Sequence, residues 1–235
     1  MKKLVVYSAI FGKYDILPED QYKIPDTDYI CFADHYFESD IWDVRVVPSI
    51  YEDTTRMARK YKLLPHRFLQ DYKFSAWIDG NMRILSDFSH LLNDETGFLT
   101  YDHMQCFDKR NCIYQEAEAI FTLGRQNLIK TPDRGIKNWK DNPELITKQV
   151  ERYKQENFPE NFGLAETSVV IRQHNRADVR KLDEDWWLEL KYGSRRDQMS
   201  LNYVSWKNKI PIDYIPGDVR SNQFFIMLNG HKGKK

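Results

Sequence analysis

Tyr72–Met82 reads YKFSAWIDGNM, and this stretch decides the fold. Its first part, as far as Ile78, is short and mostly apolar, which is typical of a strand buried on both faces of a parallel sheet. The run ends abruptly in Asp79-Gly80-Asn81, where glycine permits a turn that residues with a Cβ resist. The stretch therefore predicts a central strand of an α/β sheet with polar residues at its carboxyl end.

These polar residues suggest a metal site. Asp79 and Asn81 place a carboxylate and an amide carbonyl two residues apart at a strand end, where open α/β sheets bind ligands. Two such oxygens suit a hard divalent cation shared with substrate phosphates, so the predicted cofactor is Mn²⁺ or Mg²⁺. The alternative is a plain turn, because Asp, Gly and Asn are common turn residues. Both interpretations stay open at this point.

The amino-acid composition limits the kinds of partner and compartment to expect for this chain. Lys plus Arg and Asp plus Glu number 35 each, so the net charge is near zero, and no nucleic-acid partner is expected. Aromatic residues make up 14% of the chain, which suits a cleft that stacks on ringed ligands, although cores also use them. The three cysteines are an odd number without a disulfide framework. They favour a reducing compartment, and we expect a cytoplasmic protein.

Membrane signals are weak. The stretch MKKLVVYSAIFG at the start has two lysines and a short apolar run, but no long apolar core followed by a cleavage site, so no signal peptide is expected. No stretch approaches the roughly 18 apolar residues of a membrane span. We therefore expect no transmembrane segment and leave peripheral membrane association open.

The remaining pattern predicts one α/β domain with a mostly parallel central sheet flanked by helices. Leu4–Phe11 is predicted to be a strand that breaks at Gly12, a beginning typical of nucleotide-binding α/β folds. Further strands are predicted at Tyr29–Ala33, Trp42–Pro48, Gly97–Tyr101, Ser168–Ile171 and Ile210–Ile215. Helices are predicted at Asp53–Leu64, Glu116–Leu128, Pro143–Glu156, His174–Glu189 and Ser194–Lys207, and a loop or lid at Thr131–Asn142.

The predicted helix Asp53–Leu64 is crowded with basic residues. Arg56, Arg59 and Lys60 lie three or four residues apart and can share a face, and Lys62 follows. A solvated basic face is one interpretation. The other is contact with a diphosphate, which gains weight because the next strand carries the candidate metal site. On that second interpretation Arg59 and Lys62 meet phosphate or ribose.

Seven stretches spread over most of the chain carry a resemblance to a known family. They are YSAIFGKYD (7–15), DYICFAD (28–34), ARKYKLLPH (58–66), SAWIDGN (75–81), RNCIYQEA (110–117), GLAETSVVIRQHN (163–175) and RRDQMSLNY (195–203). With them the chain resembles glycosyltransferases of the GT-A type. More narrowly, it is similar to the glycosyltransferase-like family formerly known as a domain of unknown function, which has plant pectin- and mucilage-related members and bacterial polysaccharide members.

The resemblance implies a fold and an activity. The fold would be a single GT-A domain over residues 1–235, with a nucleotide-sugar half at about 1–100 and an acceptor half at about 101–235. The activity would be metal-dependent transfer of a sugar from a nucleotide-sugar donor, with a UDP-sugar favoured, to a saccharide acceptor in surface polysaccharide or glycan synthesis. Asp79 and Asn81 would stand where such enzymes carry Asp-x-Asp, with Tyr7, Phe11 and Asp34 near the base and ribose.

Two carboxylates are candidates for acid–base chemistry. Asp197-Gln198 resembles the Asp-Gln start of a helix in many GT-A enzymes, and both residues are expected at the substrate. Asp197 would accept the acceptor hydroxyl proton or bind its sugar. The alternative is that Asp197 only complements the dipole of the helix. Glu166, at the start of a strand, is the competing carboxylate.

Three histidines are candidate ligands. His231, followed by Lys-Gly-Lys, resembles the C-terminal histidine that supplies a third metal ligand in several retaining GT-A families. The alternative is a solvated residue in a frayed tail. His66 and His103 are expected to be structural.

Two other functions compete with glycosyl transfer. Asn81 in place of a second aspartate keeps a non-catalytic nucleotide- or carbohydrate-binding module as the alternative. A lipid amidase is disfavoured, because the sequence lacks a histidine cluster of the kind a metal amidase needs. A zinc site at Cys106 and Cys112 is also disfavoured, since the two are not in CxxC spacing.

Overall fold

The computed structural model describes residues 2–95, 97–126, 139 and 141–228. In this part of the chain the strands are β1 (Lys2–Ile10), β2 (Thr27–Ala33), β3 (Asp43–Val46), β4 (Tyr72–Ile78), β5 (Met82–Ile84), β6 (Phe98–Asp102), β7 (Ala165–Arg172), β8 (Asp213–Ile215) and β9 (Phe225–Met227). The α-helices are α1 (Thr54–Leu63), α2 (Ile113–Arg125), α3 (Pro143–Gln155), α4 (Ala177–Tyr192) and α5 (Leu201–Asn208). None of these helices is both long and apolar enough to span a bilayer.

Seven strands form the main sheet in the order β3-β2-β1-β4-β7-β6-β8. All neighbouring pairs are parallel except those of β7, which runs antiparallel to both β4 and β6. Apolar side chains fill both faces, in one cluster around Trp77 and Trp186 and in another around Phe74 and Phe225. The predicted α/β class with a mostly parallel central sheet flanked by helices is confirmed. The division into a donor half and an acceptor half stays a prediction.

Strand β4 ends as its sequence predicts. Its residues from Phe74 to Ile78 are buried, and the next backbone N–H, that of Asp79, donates to the carbonyl of Ser168 at 2.9 Å. A Cβ on Gly80 would lie 2.7 Å from Cδ1 of Ile10 and 3.0 Å from Cβ of Asp15. A side chain at position 80 would therefore require Ile10 of β1 and Asp15 of the following loop to shift.

Helix α1 confirms the predicted helix at Asp53–Leu64. The Asp53 side chain caps it by accepting from the backbone N–H groups of Thr55 and Arg56 at 3.0 and 3.3 Å. The helix stops before Pro65, which cannot continue it. The face of α1 that packs on the sheet carries Tyr61, whose ring stacks on Phe32 of β2 with centroids 4.4 Å apart.

Two predictions for the C-terminal part need correction. A helix was predicted over Ser194–Lys207, but the structure has a 3-10 turn at Asp197–Met199 and begins α5 only at Leu201. The chain cannot continue as one helix because Ser200 adopts φ −137°. Asp197 therefore does not start an α-helix, and complementing the dipole of α5 does not explain its position.

The end of the described chain reaches the Asp79–Asn81 turn. Strand β9 pairs antiparallel with β5, and the N–H of Leu228 donates to the carbonyl of Asn81 at 2.8 Å. The predicted loop or lid at Thr131–Asn142 lies largely outside the described residues, as does His231.

The cap of α1 gives a first prediction. Replacing Asp53 by Ala should lower the free energy of unfolding by about 1 kcal/mol more than replacing it by Asn, because Asn can still accept the two N–H bonds. Both variants lose the ionic part of the contacts with Arg195 and Arg56, so their difference reports the hydrogen bonds that the side-chain oxygen accepts, chiefly the two of the cap. Urea unfolding measures it, and equal losses in the two variants would show that the charge, rather than the cap, stabilises α1.

Candidate active site

The candidate site lies at the edge of the sheet where β1, β2 and β4 end. Because β7 runs antiparallel to β4, its first residues come to the same edge, and Ile78 pairs with Val169. Three strand ends thus contribute Gly12, Asp34 and Asp79, while β7 contributes residues from its beginning. Such an edge is where open α/β sheets bind ligands.

Asp79 is held through one of its two carboxylate oxygens. Its Oδ1 accepts from Nε1 of Trp77 at 2.7 Å and lies 3.4 Å from Nζ of Lys62 and 3.5 Å from Nη1 of Arg59. Within the described part of the chain no hydrogen bond reaches Oδ2. The side chain is 25% exposed, so the carboxylate is accessible to a ligand.

Asp197 is almost completely buried and faces the same two cations. Its Oδ2 accepts from the hydroxyl of Thr167 at 3.0 Å, is hydrogen-bonded by the ammonium of Lys62, and lies 3.4 Å from Nε of Arg59. Burial by itself would raise the pKa of this carboxyl, but the two positive charges and the hydrogen bonds outweigh it. The pKa of Asp197 is therefore held far below its usual value, and the group stays ionised.

The two basic residues differ in what they can reach. Lys62 is fully buried, and its ammonium contacts Asp197, Asp79 and the hydroxyl of Thr167, the last at 3.3 Å. Its predicted contact with phosphate or ribose is therefore not supported by its position. The Arg59 side chain is 21% exposed and remains accessible. Burial would lower the pKa of Arg59, but Asp197 and Asp79 raise it overall, so its charge is secure.

Among the carboxylates of the site, Glu166 has a raised affinity for its proton. Its two oxygens accept from the hydroxyl and the backbone N–H of Ser168 at 2.7 and 3.0 Å. Burial is the largest influence on it and, with the negative charge of Asp79, exceeds the effect of these bonds and of Lys62. The pKa of Glu166 is raised from 4.5 to about 7.

The predicted residues at the start of the chain fall into two groups. Tyr7 and Phe11 belong to the core, with 0% and 2% exposure, so the prediction that they contact a base or ribose is not supported. Asp34 lies at the rim, where it accepts from the N–H of Gly12 at 2.8 Å and lies 2.7 Å from Nδ1 of His35. Burial opposes these two bonds, yet the pKa of Asp34 is lowered, so it is an ionised group that a ribose can reach.

The other predicted residues have clear surroundings. Gln198 accepts from the guanidinium of Arg196 at 3.2 Å, directly beside Asp197. His66 lies 2.7 Å from Glu184, and Nε2 of His103 lies 2.9 Å from the guanidinium of Arg110. Both histidines thus have protein partners that suit a structural role.

The residues around Asp79 could supply only some of the ligands of a metal ion. No group of three or more His, Cys, Asp or Glu side chains suited to a metal occurs within the described ranges. A Mg²⁺ or Mn²⁺ ion shared with phosphates needs only one or two protein oxygens. Oδ2 of Asp79, which makes no hydrogen bond within the described residues, can meet this need, and the indole N–H of Trp77 fixes the carboxylate through its other oxygen. The donor set fits a cation that also keeps phosphate or water ligands.

Thr167 and Trp77 were missed by sequence reasoning. Trp77 could have been found from strand alternation, since it is two residues before Asp79 and so shares its face. Thr167 is adjacent to Glu166 on β7, so alternation from Glu166 would place it on the opposite face and gives no signal for it. No sequence signal indicated the partners that tie Lys62 in place.

A cavity of about 580 Å³ lies at the opposite edge of the sheet. Its lining includes Thr27, Asp43 and Tyr72, which begin β2, β3 and β4. The hydroxyl of Tyr72 donates to Asp28, and Arg45 pairs with Asp43 at 2.9 Å. None of the predicted site residues lines it, so we assign the chemistry to the carboxyl edge.

The raised pKa of Glu166 predicts how stability depends on pH. The folded state holds this proton more tightly than the unfolded state, so the stabilisation is complete below pH 4.5 and is lost as the pH rises through about 7. Between those limits the wild type should lose about 3 kcal/mol relative to Glu166→Gln, which cannot ionise. Urea unfolding over this range measures the difference. Glu118→Gln is the control, because the Glu118 side chain is 67% exposed, and an equal change in both variants would contradict the prediction.

Comparison with known proteins identifies the family. The sequence model of the TOD1/MUCI70 glycosyltransferase-like domain matches residues 33–214, which is most of the chain. The chain is also 26% identical over 234 residues to the probable hexosyltransferase MUCI70 of Arabidopsis thaliana. That alignment covers 86% of this chain but 37% of the plant protein, so the chain spans well under half the length of this curated relative.

A solved structure is similar at a greater distance. It is the crystal structure of a glycosyltransferase involved in the glycosylation of the major capsid of PBCV-1, with a TM-score of 0.47 and 8% identity, covering 98% of this chain and 94% of that chain. This similarity is too distant to support an argument about the site. The family match, in contrast, confirms the predicted resemblance. The chain belongs to the TOD1/MUCI70 family of glycosyltransferase-like domains.

Proposed function

We propose that this chain is a metal-dependent glycosyltransferase that moves a sugar, in the first instance a hexose, from a nucleotide-sugar donor to a saccharide acceptor. One observation carries the proposal. The strand-end carboxylate Asp79 and the buried carboxylate Asp197 share the cations Arg59 and Lys62 at the ligand-binding edge of the sheet. Diphosphate binding and hydroxyl recognition would thus be adjacent.

The donor half of the site would bind the diphosphate. Asp79, through Oδ2, and Asn81 would hold Mn²⁺ or Mg²⁺, and Arg59, whose charge is secure and accessible, would bond a phosphate oxygen. When bound, the ion would offset the negative charge that builds on the leaving diphosphate. Asp34 would accept from a ribose hydroxyl at the end of β2. A UDP-sugar is the favoured donor.

The acceptor half would divide two tasks between two carboxylates. Asp197 stays ionised, so it can accept a hydrogen bond from a sugar hydroxyl but has little tendency to take the proton. Glu166, with a pKa of about 7, is suited to accept a proton near neutral pH. We therefore assign Asp197, with Gln198 beside it, to acceptor binding, and Glu166 to the general base.

His231 is proposed as a third metal ligand on grounds of reach. Leu228 is hydrogen-bonded to Asn81, and His231 follows it by three residues, a chain length of roughly 10 Å at most. The cytoplasmic setting and the role in surface polysaccharide or glycan synthesis are likewise proposals. The non-catalytic binding module remains the second candidate, since Asn81 brings less charge to the metal than aspartate would.

Metal-dependent nucleotide binding is the first test. Calorimetric titration of UDP should show tighter binding with Mn²⁺ than with EDTA, because the ion bridges Asp79 and the diphosphate. Asp79→Ala should abolish the difference and keep the fold. Asp102→Ala is a matched control, since Asp102 also ends a strand but only caps the next turn. Equal affinity with Mn²⁺ and with EDTA would exclude the metal role.

The same titration tests His231. If the residue is a third ligand, His231→Ala should retain part of the Mn²⁺ effect, because Asp79 and Asn81 remain. An unchanged Mn²⁺ effect would remove His231 from the site.

Acceptor kinetics separate the two carboxylates. The kcat/KM of the wild type for the acceptor should rise as the pH increases through about 7, where the Glu166 base of the free enzyme loses its proton. Glu166→Gln should lower kcat by roughly 10²–10⁴-fold and remove this rise. Asp197→Asn should raise the KM for the acceptor and leave kcat at saturation largely preserved.

Three results would overturn these assignments. If Glu166→Gln retains the rise, Glu166 is not the base. If Asp197→Asn loses kcat at an unchanged acceptor KM, the roles are exchanged. If donor binds but no sugar transfer or donor hydrolysis is detected, the chain is a binding module.

A further inference from the structure

The backbone carbonyl of Lys62 has unusual partners. It lies in the last turn of α1, where helix carbonyls have no N–H partner within the helix. Two buried side chains supply the missing donors. The hydroxyl of Tyr7, on β1, donates to it at 2.9 Å, and Nη2 of Arg172, the last residue of β7, donates to it as well. Two strands of the sheet thus hold the end of the helix at this carbonyl.

Arg172 and Tyr7 are themselves fixed. Arg172 is fully buried, and its Nη1 pairs at 2.6 Å with Oδ1 of Asp183, a fully buried residue of α4. Its Nη2 also donates to the hydroxyl of Tyr7 at 2.6 Å. Burial raises the pKa of Tyr7 to about 12, so its hydroxyl keeps the proton that it donates to Lys62.

Stability alone does not account for this arrangement. A buried ion pair is often no more stabilising than apolar residues of the same volume, because both charges lose their hydration. The pair is also incompletely bonded, since Nε of Arg172 has no hydrogen-bond partner in the described ranges and Oδ2 of Asp183 is only 3.8 Å from Nδ1 of His66. The two bonds of Arg172 Nη2, to the Lys62 carbonyl and to the Tyr7 hydroxyl, both lead to Lys62, whose ammonium joins the two carboxylates of the site.

We propose that Tyr7 and Arg172 are positioning residues of the active site, which hold the carbonyl of Lys62 so that its ammonium stays between Asp79 and Asp197. The proposal rests on the proposed function for its catalytic consequence. Lys62 contributes its side chain to the site and its carbonyl to this anchor. Without the hydrogen bonds from Tyr7 and Arg172, the end of α1 could shift and move the ammonium away from the carboxylates. The carboxylates would then lose their fixed orientation toward the substrate.

Tyr7→Phe tests this with the smallest change, because it removes one hydroxyl and keeps the ring. Tyr29→Phe is the matched control on the neighbouring strand. Its hydroxyl also donates to a backbone carbonyl, that of Tyr22 at 3.0 Å, and accepts from a nitrogen, that of Ile24 at 2.9 Å. Both variants should lower Tm by a few degrees, so a difference in function between them reports position rather than stability.

The first readout does not need activity. The rate at which a mild acylating reagent modifies Lys62 in the folded protein is followed by mass spectrometry. Lys62 is fully buried, so we expect slow modification in the wild type and in Tyr29→Phe, and a severalfold faster rate in Tyr7→Phe. Equal rates in the two variants would overturn the proposal, whether or not the protein transfers sugar.

The second readout is a double-mutant cycle on kcat. Tyr7→Phe should lower kcat roughly tenfold with the donor KM little changed, and Tyr29→Phe should leave both near the wild type. In a Lys62→Met background, or in Asp197→Asn if the first does not fold, the effect of Tyr7→Phe should largely disappear. If Tyr7→Phe lowers kcat as much in that background as in the wild type, Tyr7 does not act through Lys62. A wild type without transfer would contradict the proposed function only, and the modification rates would still decide the position of Lys62.

Discussion

The ammonium of Lys62, buried between Asp79 and Asp197, is the interaction on which the site depends. Asp79 follows β4 and Asp197 lies in the turn before α5, and without a cation between them their like charges would repel each other. With Lys62 and Arg59 beside it, Asp197 stays ionised despite its burial. The structure thus brings two carboxylates close together around one ammonium. Within the described residues, Oδ2 of Asp79 makes no hydrogen bond.

The segment Ser194–Asp197 joins this centre to the rest of the fold. Its four consecutive residues bond to four elements in turn: Gln149 of α3 at 2.9 Å, Asp53 at the start of α1 at 2.9 Å, Glu116 of α2 at 2.6 Å and Thr167 of β7 at 3.0 Å. The position of Asp197 is therefore set by contacts on all sides rather than by helix propensity. This explains why the segment is irregular where a helix was predicted, and why the carboxylate has a defined place opposite Asp79.

Much of this architecture could be predicted from local pattern. The apolar run before Asp79 predicted β4, and the pattern from Asp53 to Leu64 predicted α1, because these signals lie within a few residues of each other. The roles of Lys62 and Tyr7 could not be predicted in this way. A basic helix face predicts solvent, yet Lys62 is buried because its partners come from β4, β7 and the turn before α5. Tyr7 and Arg172 are 165 residues apart, and no periodicity reports that pairing.

The central claim is that the nucleotide and its metal bind at the carboxyl edge of the sheet. The most direct measurement is Mn²⁺-induced broadening of backbone amide signals in the ¹⁵N-labelled protein with UDP. Strand β4 alone separates the two edges by roughly 20 Å, and broadening by a bound paramagnetic ion falls steeply with distance, so the edges are distinguishable. The account predicts the strongest broadening at Gly12 and Gly80, with Thr27 and Asp28 little affected. Broadening centred on Thr27 and Asp28, beside the cavity at the opposite edge, would contradict it.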